Sequence, residues 1–500
     1  MPNYQSPFAK ATEDELGIGN IRLGNTSTLA TLKIPPEGGV MNLTRREFVK
    51  GSFAALGFLA LPGGLFAAPA GWKPKKKPNL VFGVLADTHL MVNWRNGKSL
   101  YGTMRLDYIR NAFKYFKEKN IDAFVHLGDA SHRGDIREWE FHKEVFEEVF
   151  GKDGPPKIFV VGNHEHFTAS KGWFPDTWRN RMISADLPRH YEEIWGEPFA
   201  EVLHKEVKGY HFFGNHWGSD GVKMANYINA HAEEFALKGE KPFFVLSHKM
   251  TYIKCNGRLK AYPNAIGFCG HWHASLSNWQ NIYYERNYKL FPYINCGACR
   301  YDGENELNAK DALKEKPDAQ RDKADNHFEF PSRQGLVVSV YDGIGVVMER
   351  LEFGKGGKLG RDWVFPIGKF ETKPYSRATL AKKIGTPEFG KSVKLKVESV
   401  KLKGGEGGVR VTIPMADGNP DSRVFAYDVV IMGDDVKERF FKSVFFSGAN
   451  CGIGHEPGGG ITKVDIPLSQ LPAGKRLTIA VRPVSSLGTK GKTIGTIWRI

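Results

Sequence analysis

Cysteine is scarce in this chain, at five in 500 residues. A disulfide framework needs a far higher density, so an apolar core must hold the fold. Long apolar runs are also missing. Apart from one stretch near the N-terminus, broken by Gly and Pro, no run of 18 or more apolar residues occurs. That excludes a polytopic membrane protein. An excess of acidic residues is absent too. Lys and Arg number 70 against 55 Asp and Glu, a formal charge of +15. Such a surface attracts anions, acidic polymers or lipid headgroups without choosing among them. No internal repeat is visible. What remains is 41% hydrophobic and 25% charged residues. That is the composition of a soluble globular chain, here long enough for roughly two to four domains.

The one apolar stretch reads as an address. Thr44-Arg45-Arg46-Glu47-Phe48-Val49-Lys50 precedes an uncharged run from Gly51 to Gly71, rich in Phe, Leu and Ala and holding Ala68-Pro69-Ala70 near its end. A charged segment, an apolar segment and a small-x-small cleavage site make a signal peptide. The arginine pair with Phe two residues on resembles a twin-arginine export signal. Val49 stands where Leu is commoner. A buried helical hairpin is disfavoured, because Pro62, Gly63 and Gly64 break it. Residues 41–70 are thus expected to be the signal and 1–40 a polar extension, with Met41 able to begin a conventional signal by itself. The resemblance implies a bacterial periplasmic or secreted protein with no membrane span after cleavage. Residues 1–70 hold six Lys/Arg and five Asp/Glu, so the remaining chain keeps its positive charge. The lysines of Lys73-Pro74-Lys75-Lys76-Lys77 read as a solvated leader.

Leu80–Ala86 is a continuous apolar run bounded by polar residues, the pattern of a buried strand. Tyr101–Lys119 and Ile136–Phe150 carry apolar residues at helical spacing. Ile121–Leu127, Lys157–Val161, Phe243–Ser247, Ala265–Cys269 and Tyr293–Asn295 are further strands. The β-α-β-α-β order argues an α/β core with parallel strands. Gly335–Asp342 and Ile344–Phe353 predict a hairpin, and the polar stretch 302–334 an inserted surface loop. Past residue 370 helical periods fade. Alternating runs at Val393–Leu402, Val409–Ile413, Val424–Ile431, Thr462–Ile466 and Arg476–Val481 predict a small β-sandwich over 381–500, loosely similar to a fibronectin type III module.

Five short motifs follow these strands in order: Asp87-Thr88-His89, Gly128-Asp129, Gly162-Asn163-His164-Glu165, His248, and Gly270-His271-Trp272-His273. Ligands gather at the carboxyl ends of parallel strands. Asp, Asn and His supply nitrogen and oxygen donors suited to divalent or trivalent metals. In extended backbone, residues two apart face one way, so Asp87 with His89, and His271 with His273, are expected to serve one region. Seven donors make two four-ligand sites if one carboxylate bridges. Two bridged metals lie about 3.5–4 Å apart, a spacing that clamps both sides of a phosphoryl displacement.

The ordered set resembles the calcineurin-like metallophosphoesterase superfamily over roughly residues 80–366. The resemblance implies a four-layer αββα domain over 78–370. It assigns Asp87, His89, Asp129 and His273 to one metal, and Asp129, Asn163, His248 and His271 to the other. A hydroxide bridging the metals would attack phosphorus in a phosphate mono- or diester. His164 would contact the phosphate or protonate the leaving oxygen, Arg133 would grip the phosphate, and Glu165 would orient. The metals are two ions of Fe, Mn or Zn.

The departures narrow the group. Purple acid phosphatases have Gly where His89 stands and Tyr where His132 stands. Protein Ser/Thr phosphatases have Asp at His132 and lack a second His like His273. The closest pattern is Asp-x-His first and Gly-His-x-His last, a group that includes cyclic-nucleotide phosphodiesterases and is broad in substrate. The expected partner is a small phosphate ester. A nuclease acting on nucleic acid ranks lower, since no Lys/Arg cluster flanks the motifs. A non-catalytic surface protein ranks lower still, since no ligand is lost.

Other features read as bystanders. Gly214-Asn215-His216 is a decoy outside the motif order, His126 packs with its strand, His166 is solvent-exposed, and His455 signals nothing. Cys296 and Cys299 lack the partners of a zinc site; Cys255 with Cys269, or Cys296 with Cys299, is a candidate disulfide. Trp173, Phe174, Trp178, Trp195, Trp217 and Trp279 divide between core and a stacking wall for a base or sugar. Loops at 90–100, 166–240 and 302–334 would set the substrate.

Overall fold

The computed structural model describes residues 74, 76–91, 103–167, 180–249, 256–273, 276, 281–283, 291–299, 333–354, 357–360, 362–366, 382, 385–402, 404–416, 424–434, 439–445, 461–485 and 489–499. The expected extension and signal, the 302–332 stretch, Trp173, Phe174, Trp178, Cys255, Trp279 and His455 lie outside the described residues.

In chain order the first part runs β1 (Leu80–Leu85), α1 (Thr103–Glu118), β2 (Ala123–His126), α2 (Ile136–Phe150), β3 (Lys157–Phe159), α3 (Leu187–Trp195), β4 (Val202–Val207), β5 (Tyr210–Asn215), α4 (Gly221–Ala230), β6 (Phe243–Ser247), β7 (Ala265–Cys269), β8 (Ile282–Tyr283), β9 (Tyr293–Asn295), β10 (Gln334–Tyr341), β11 (Gly345–Glu352), β12 (Gly357–Lys358) and β13 (Trp363–Pro366). One sheet has the order β12-β11-β10-β1-β2-β3, with β13 also on β11; the other has β4-β5-β6-β7-β9-β8. β1, β2 and β3 are parallel, as are β5, β6, β7 and β9.

The two sheets face each other. Phe82, Val84, Val125 and Val338 of the first meet Phe212, Phe244, Phe268 and Ile294 of the second in one buried cluster. The Phe82 ring packs edge-on against Phe212, Phe244 and Phe268, with centroids 5.2, 4.8 and 5.8 Å away. On the outer face of the first sheet, Phe113, Phe116, Val145 and Phe146 of α1 and α2 pack on Leu85, Phe124 and Val337. On the outer face of the second, Met224, Ala225 and Ile228 of α4 pack on Phe213 and Val245. The layers are therefore helix, sheet, sheet, helix. Burial on both faces explains why β1 and β6 read as unbroken apolar runs.

Residues 166–240, expected as loops, hold α3, β4, β5 and α4. α3 has nine residues and β4 mixes apolar with charged residues, so neither pattern stands out. Tertiary pairing creates them. β5 is drawn into the sheet by buried β6, and α3 buries Tyr191, Ile194 and Trp195 against Trp139 of α2 and Phe159 of β3. No helix among the described residues is long and apolar enough to cross a membrane.

The second part is all β: β14 (Lys396–Lys401), β15 (Gly407–Pro414), β16 (Val424–Met432), β17 (Arg439–Phe445), β18 (Ile461–Pro467), β19 (Arg476–Ser485) and β20 (Ile494–Arg499). Sheets β14-β15-β18 and β17-β16-β19-β20 are antiparallel throughout. Val411, Ile413 and Ile466 of one share a core with Tyr427, Val429, Ile479 and Val481 of the other. β19 alternates buried and less buried residues along its length, the period of a half-buried strand. β17 and β20 were not legible in the sequence.

Candidate dinuclear metal centre

The motif residues occupy the turns that leave β1, β2, β3, β6 and β7, so the carboxyl ends of parallel strands from both sheets meet at one place. The turns are not extended. Asp87, His89, Asp129, His271 and His273 have φ of 52, 42, 54, 74 and 49°. Left-handed backbone is uncommon outside Gly and clusters at functional sites. The period-two argument for Asp87–His89 and His271–His273 therefore fails in its reason. Successive left-handed turns, not strand pleating, aim these side chains.

The structure gathers all seven expected ligands into two adjoining groups. In the first, the Nε2 atoms of His89 and His273 lie 3.1 Å apart, and His273 Nε2 is 3.1 Å from Asp87 Oδ1. In the second, Asn163 Oδ1 is 3.0 Å from His248 Nε2 and 2.9 Å from His271 Nδ1. Asp129 Oδ2 stands between the groups, 3.7 Å from His89 Nε2 and 3.3 Å from His248 Nε2. His271 and His273 divide between the two groups. Asp87, His89, Asp129, His248 and His273 are buried, and Asn163 and His271 partly so.

Each aspartate uses its second oxygen to tie down a neighbouring turn. Asp87 Oδ2 accepts from the His271 N–H at 2.9 Å, and Asp129 Oδ1 from the His164 N–H at 2.9 Å. The glycine before a ligand follows from this. A Cβ on Gly162 would lie 2.2 Å from Asp129 Oδ1, and one on Gly270 2.6 Å from Asp87 Oδ2. Glu165 does orient, but through the backbone. Its buried carboxylate accepts from the N–H groups of Asp129 (3.0 Å), Gly162 (2.7 Å) and Ser131 (2.8 Å). Burial, then the Asp129 charge, raises its pKa to about 7. Burial would also raise Asp129, yet the charges of His248 and His164 outweigh it and hold that carboxyl well below the usual range. Burial lowers His248, but Asp129 overrides this and lifts it to about 9. His248 Nδ1 donates to the Leu127 carbonyl at 2.7 Å, which leaves Nε2 as the atom facing the group.

His164 Nδ1 donates to the His132 carbonyl at 2.6 Å, leaving Nε2 3.8 Å from Asp129 Oδ2. Among the described residues the Arg133 guanidinium makes no ion pair; its backbone N–H donates to Glu138. The string Gly214-Asn215-His216 stays outside the centre. His216 Nδ1 accepts from the Val161 N–H at 3.0 Å, and its ring stacks on Phe199 at 4.6 Å. His126 is buried in β2, accepting from the Gly128 N–H and meeting the Thr88 hydroxyl at 3.1 Å. His166, expected exposed, is half-buried. Trp195 is core, whereas the Trp217 ring lies 5.3 Å from His271. Cys296 is a free buried thiol, so no bond joins it to Cys299.

Sequence reasoning missed several neighbours. His132, noted only as a departure, joins His89 and His164 in a third group of ring nitrogens. Lys249 lies over the Trp217 ring at 5.6 Å, and Trp272 and Phe167 are exposed at the rim. Position beside a ligand was the available signal for Lys249 and Trp272.

The donor set fits metal ions. Buried imidazole nitrogens 3.1–3.2 Å from one another, interleaved with aspartate and asparagine oxygens, offer lone pairs that a cation would satisfy.

Residues 80–291 match the profile of the family described as calcineurin-like phosphoesterase. No curated protein matches. Solved structures similar to the chain include a dimetal phosphatase from Danio rerio, with 12% identity, 58% of this chain and 99% of that one covered, and TM-score 0.33. A purple acid phosphatase from yellow lupin seeds has 11% identity, coverage of 60% and 56%, and TM-score 0.36. A 5'-nucleotidase precursor from Thermus thermophilus has 11% identity, coverage of 84% and 88%, and TM-score 0.27. The match over residues 80–291 is to a family of phosphoric ester hydrolases.

Proposed function

We propose that this protein is an exported phosphoesterase with a dinuclear metal centre, acting on small phosphate mono- or diesters. The observation that carries the reading is the position of Asp129 Oδ2 between a group of Asp87, His89 and His273 and a group of Asn163, His248 and His271. Two metal ions bound there supply Lewis acidity toward the phosphoryl oxygens and an activated water. The chain's own residues do the rest. Asp87 and Asp129 hold the turns and present one oxygen each. Glu165 locks the turns after β2 and β3 to each other. His164, fixed through Nδ1 and partly exposed, presents Nε2 to the opening, where it protonates the leaving oxygen. Arg133, free of ion pairs among the described residues, suits a phosphate oxygen. Export rests on the twin-arginine-like segment at 44–50. The boundaries 78–370 and 381–500, and the fibronectin type III-like character of the second, belong to the same proposal.

The test compares turnover of a chromogenic phosphomonoester with that of the matching diester, with metal assayed on the same sample. Two metals per chain and hydrolysis of at least one ester are expected; a protein that binds no metal would sink the proposal. In parallel, His164→Ala should retain its metals while turnover falls about 10²–10⁴-fold, the usual worth of a general acid.

A further inference from the structure

We infer that Lys249, seated on Trp217 beside the second ligand group, anchors the outer charge of a bound phosphate and biases the centre toward doubly charged phosphomonoesters. This rests on the phosphoesterase reading and deepens it.

The geometry begins at the end of β6. Ser247 Oγ donates to the Lys249 carbonyl at 3.1 Å, which fixes the backbone on either side of His248. Trp217 leaves neighbouring β5, and its N–H donates to the Val161 carbonyl at 2.9 Å. That bond places the indole 5.3 Å from the His271 ring and 5.8 Å from the His248 ring. The Lys249 ammonium lies 5.6 Å above the same indole. The Trp217 ring therefore has two ligand histidines and one ammonium 5.3–5.8 Å from its centre.

Among the described residues the cation is unspent. Lys119, Lys205 and Lys358 each have a carboxylate partner within 3.0 Å. Lys249 has no ion pair and no side-chain hydrogen bond among the described residues. Contact with an indole face leaves its unit charge intact. Arg133, after β2, is the counterpart that leaves the other sheet.

The substrate preference follows from charge. A phosphomonoester carries close to two negative charges at neutral pH, since its second pKa is about 6. Metal ions held by the two ligand groups would neutralise oxygens at the reacting face. The oxygen left over is charged in a monoester but carries the second alcohol in a diester. A point charge at the rim therefore helps the monoester more than the diester.

Lys249→Met tests this, because it keeps a long stem on Trp217 and removes the charge. The metal-loaded full chain is titrated with inorganic phosphate by calorimetry, and kcat/KM is measured for a chromogenic monoester and its diester. The variant should keep the metal content of the parent, bind phosphate roughly tenfold more weakly, and lose about 10–100-fold on the monoester, the worth of one charge-assisted contact. The diester should lose several-fold less, and Lys249→Arg should recover most of the loss. Equal phosphate affinity in variant and parent, equal losses on both esters, or no phosphate binding by the parent would each overturn the inference. If phosphate binding weakens as expected but neither ester is hydrolysed by the parent, the anchor stands and the hydrolytic reading falls.

Discussion

The two halves of the described chain handle backbone strain and buried polarity in opposite ways. Among the described residues, all eight non-glycine residues with positive φ lie between Asp87 and His273, and none falls in β14–β20. Buried polar side chains divide similarly. The paired sheets bury Asp87, His89, Asp129, Glu138, Glu165 and His248, among others, while the C-terminal sandwich buries Asp428 and Ser485. Asp428 is matched by Arg482 at 2.9 Å. A left-handed non-glycine residue costs on the order of 1–3 kcal/mol and persists only where its surroundings over-determine it. Among its described residues the sandwich has no such cost to offset, and its strands follow simple alternation. The paired sheets offset it with the inter-sheet aromatic core around Phe82 and with the Glu165 hydrogen bonds. At Asp87, His89, Asp129, His271 and His273 the strain coincides with the expected ligands, whereas Asn120, Lys208 and Ala236 lie in turns outside them.

The harshest way to break this contrast is Asp129→Asn. One oxygen of Asp129 faces both ligand groups and the other holds the His164 turn. The amide should drop metal content toward zero and turnover by on the order of 10³-fold or more, since the metal contribution is worth several kcal/mol. Elemental analysis with a turnover assay checks it; two retained metals with full activity would refute the bridging role.

Glu165→Ala ranks next. It leaves the N–H groups of Asp129, Gly162 and Ser131 without their acceptor, yet removes no ligand. Metal affinity should fall about 10–100-fold, as for other outer-shell partners, and the melting temperature should drop. A metal titration followed by calorimetry reads it. Undiminished affinity would show that the turns hold their shape without this carboxylate.

The same contrast explains what was legible in the sequence. Both faces of β1, β2, β6 and β7 are buried, so their apolar runs announced them, and the motif residues stood at their ends. All seven expected ligands come together. What fixes the turns was hidden, because Glu165 acts through backbone N–H groups that no side-chain spacing reveals. Left-handed φ at Asp87 and His89 is likewise a tertiary outcome. β4, β5, α3 and α4 were lost because their patterns are short and their partners distant. In the sandwich, alternation revealed five of seven strands; β17 and β20 were missed, and β20 leaves no residue fully buried.

A gentler probe uses protons. Burial lowers His142 and His216 to about 3 each, from an ordinary value of 6.5. The unfolded chain therefore takes up these protons first. Their stabilising contribution is complete above pH 6.5 and is lost as pH falls from there toward 3. Between pH 7 and 5 each should cost about 2 kcal/mol. The sandwich has no histidine among its described residues, so amide exchange in β16 and β19 should be insensitive to that change while β2 and α2 loosen. His142 is ringed by Phe113, Phe124 and Trp195 at 5.5, 6.0 and 5.6 Å. His142→Leu should therefore raise the melting temperature at pH 5 more than at pH 7. A gain independent of pH would show that packing, not protonation, limits the site.

The mildest prediction lies in the sandwich. Tyr427 is fully buried there, and its hydroxyl accepts from the Ala416 N–H at 2.9 Å. Its ring stacks on Phe389 at 5.9 Å. Tyr427→Phe keeps the ring and its packing but leaves the buried Ala416 N–H without that acceptor, a loss of about 1–2 kcal/mol. Denaturant unfolding should show that loss, with metal content and turnover equal to the parent's. Tyr427 has no part in the turns that carry Asp87, Asp129 or Glu165, so nothing in its removal should reach them. A fall in turnover larger than the fall in folded fraction would mean that the relaxed half supports the strained half, and the contrast between them would have to be redrawn as a coupling.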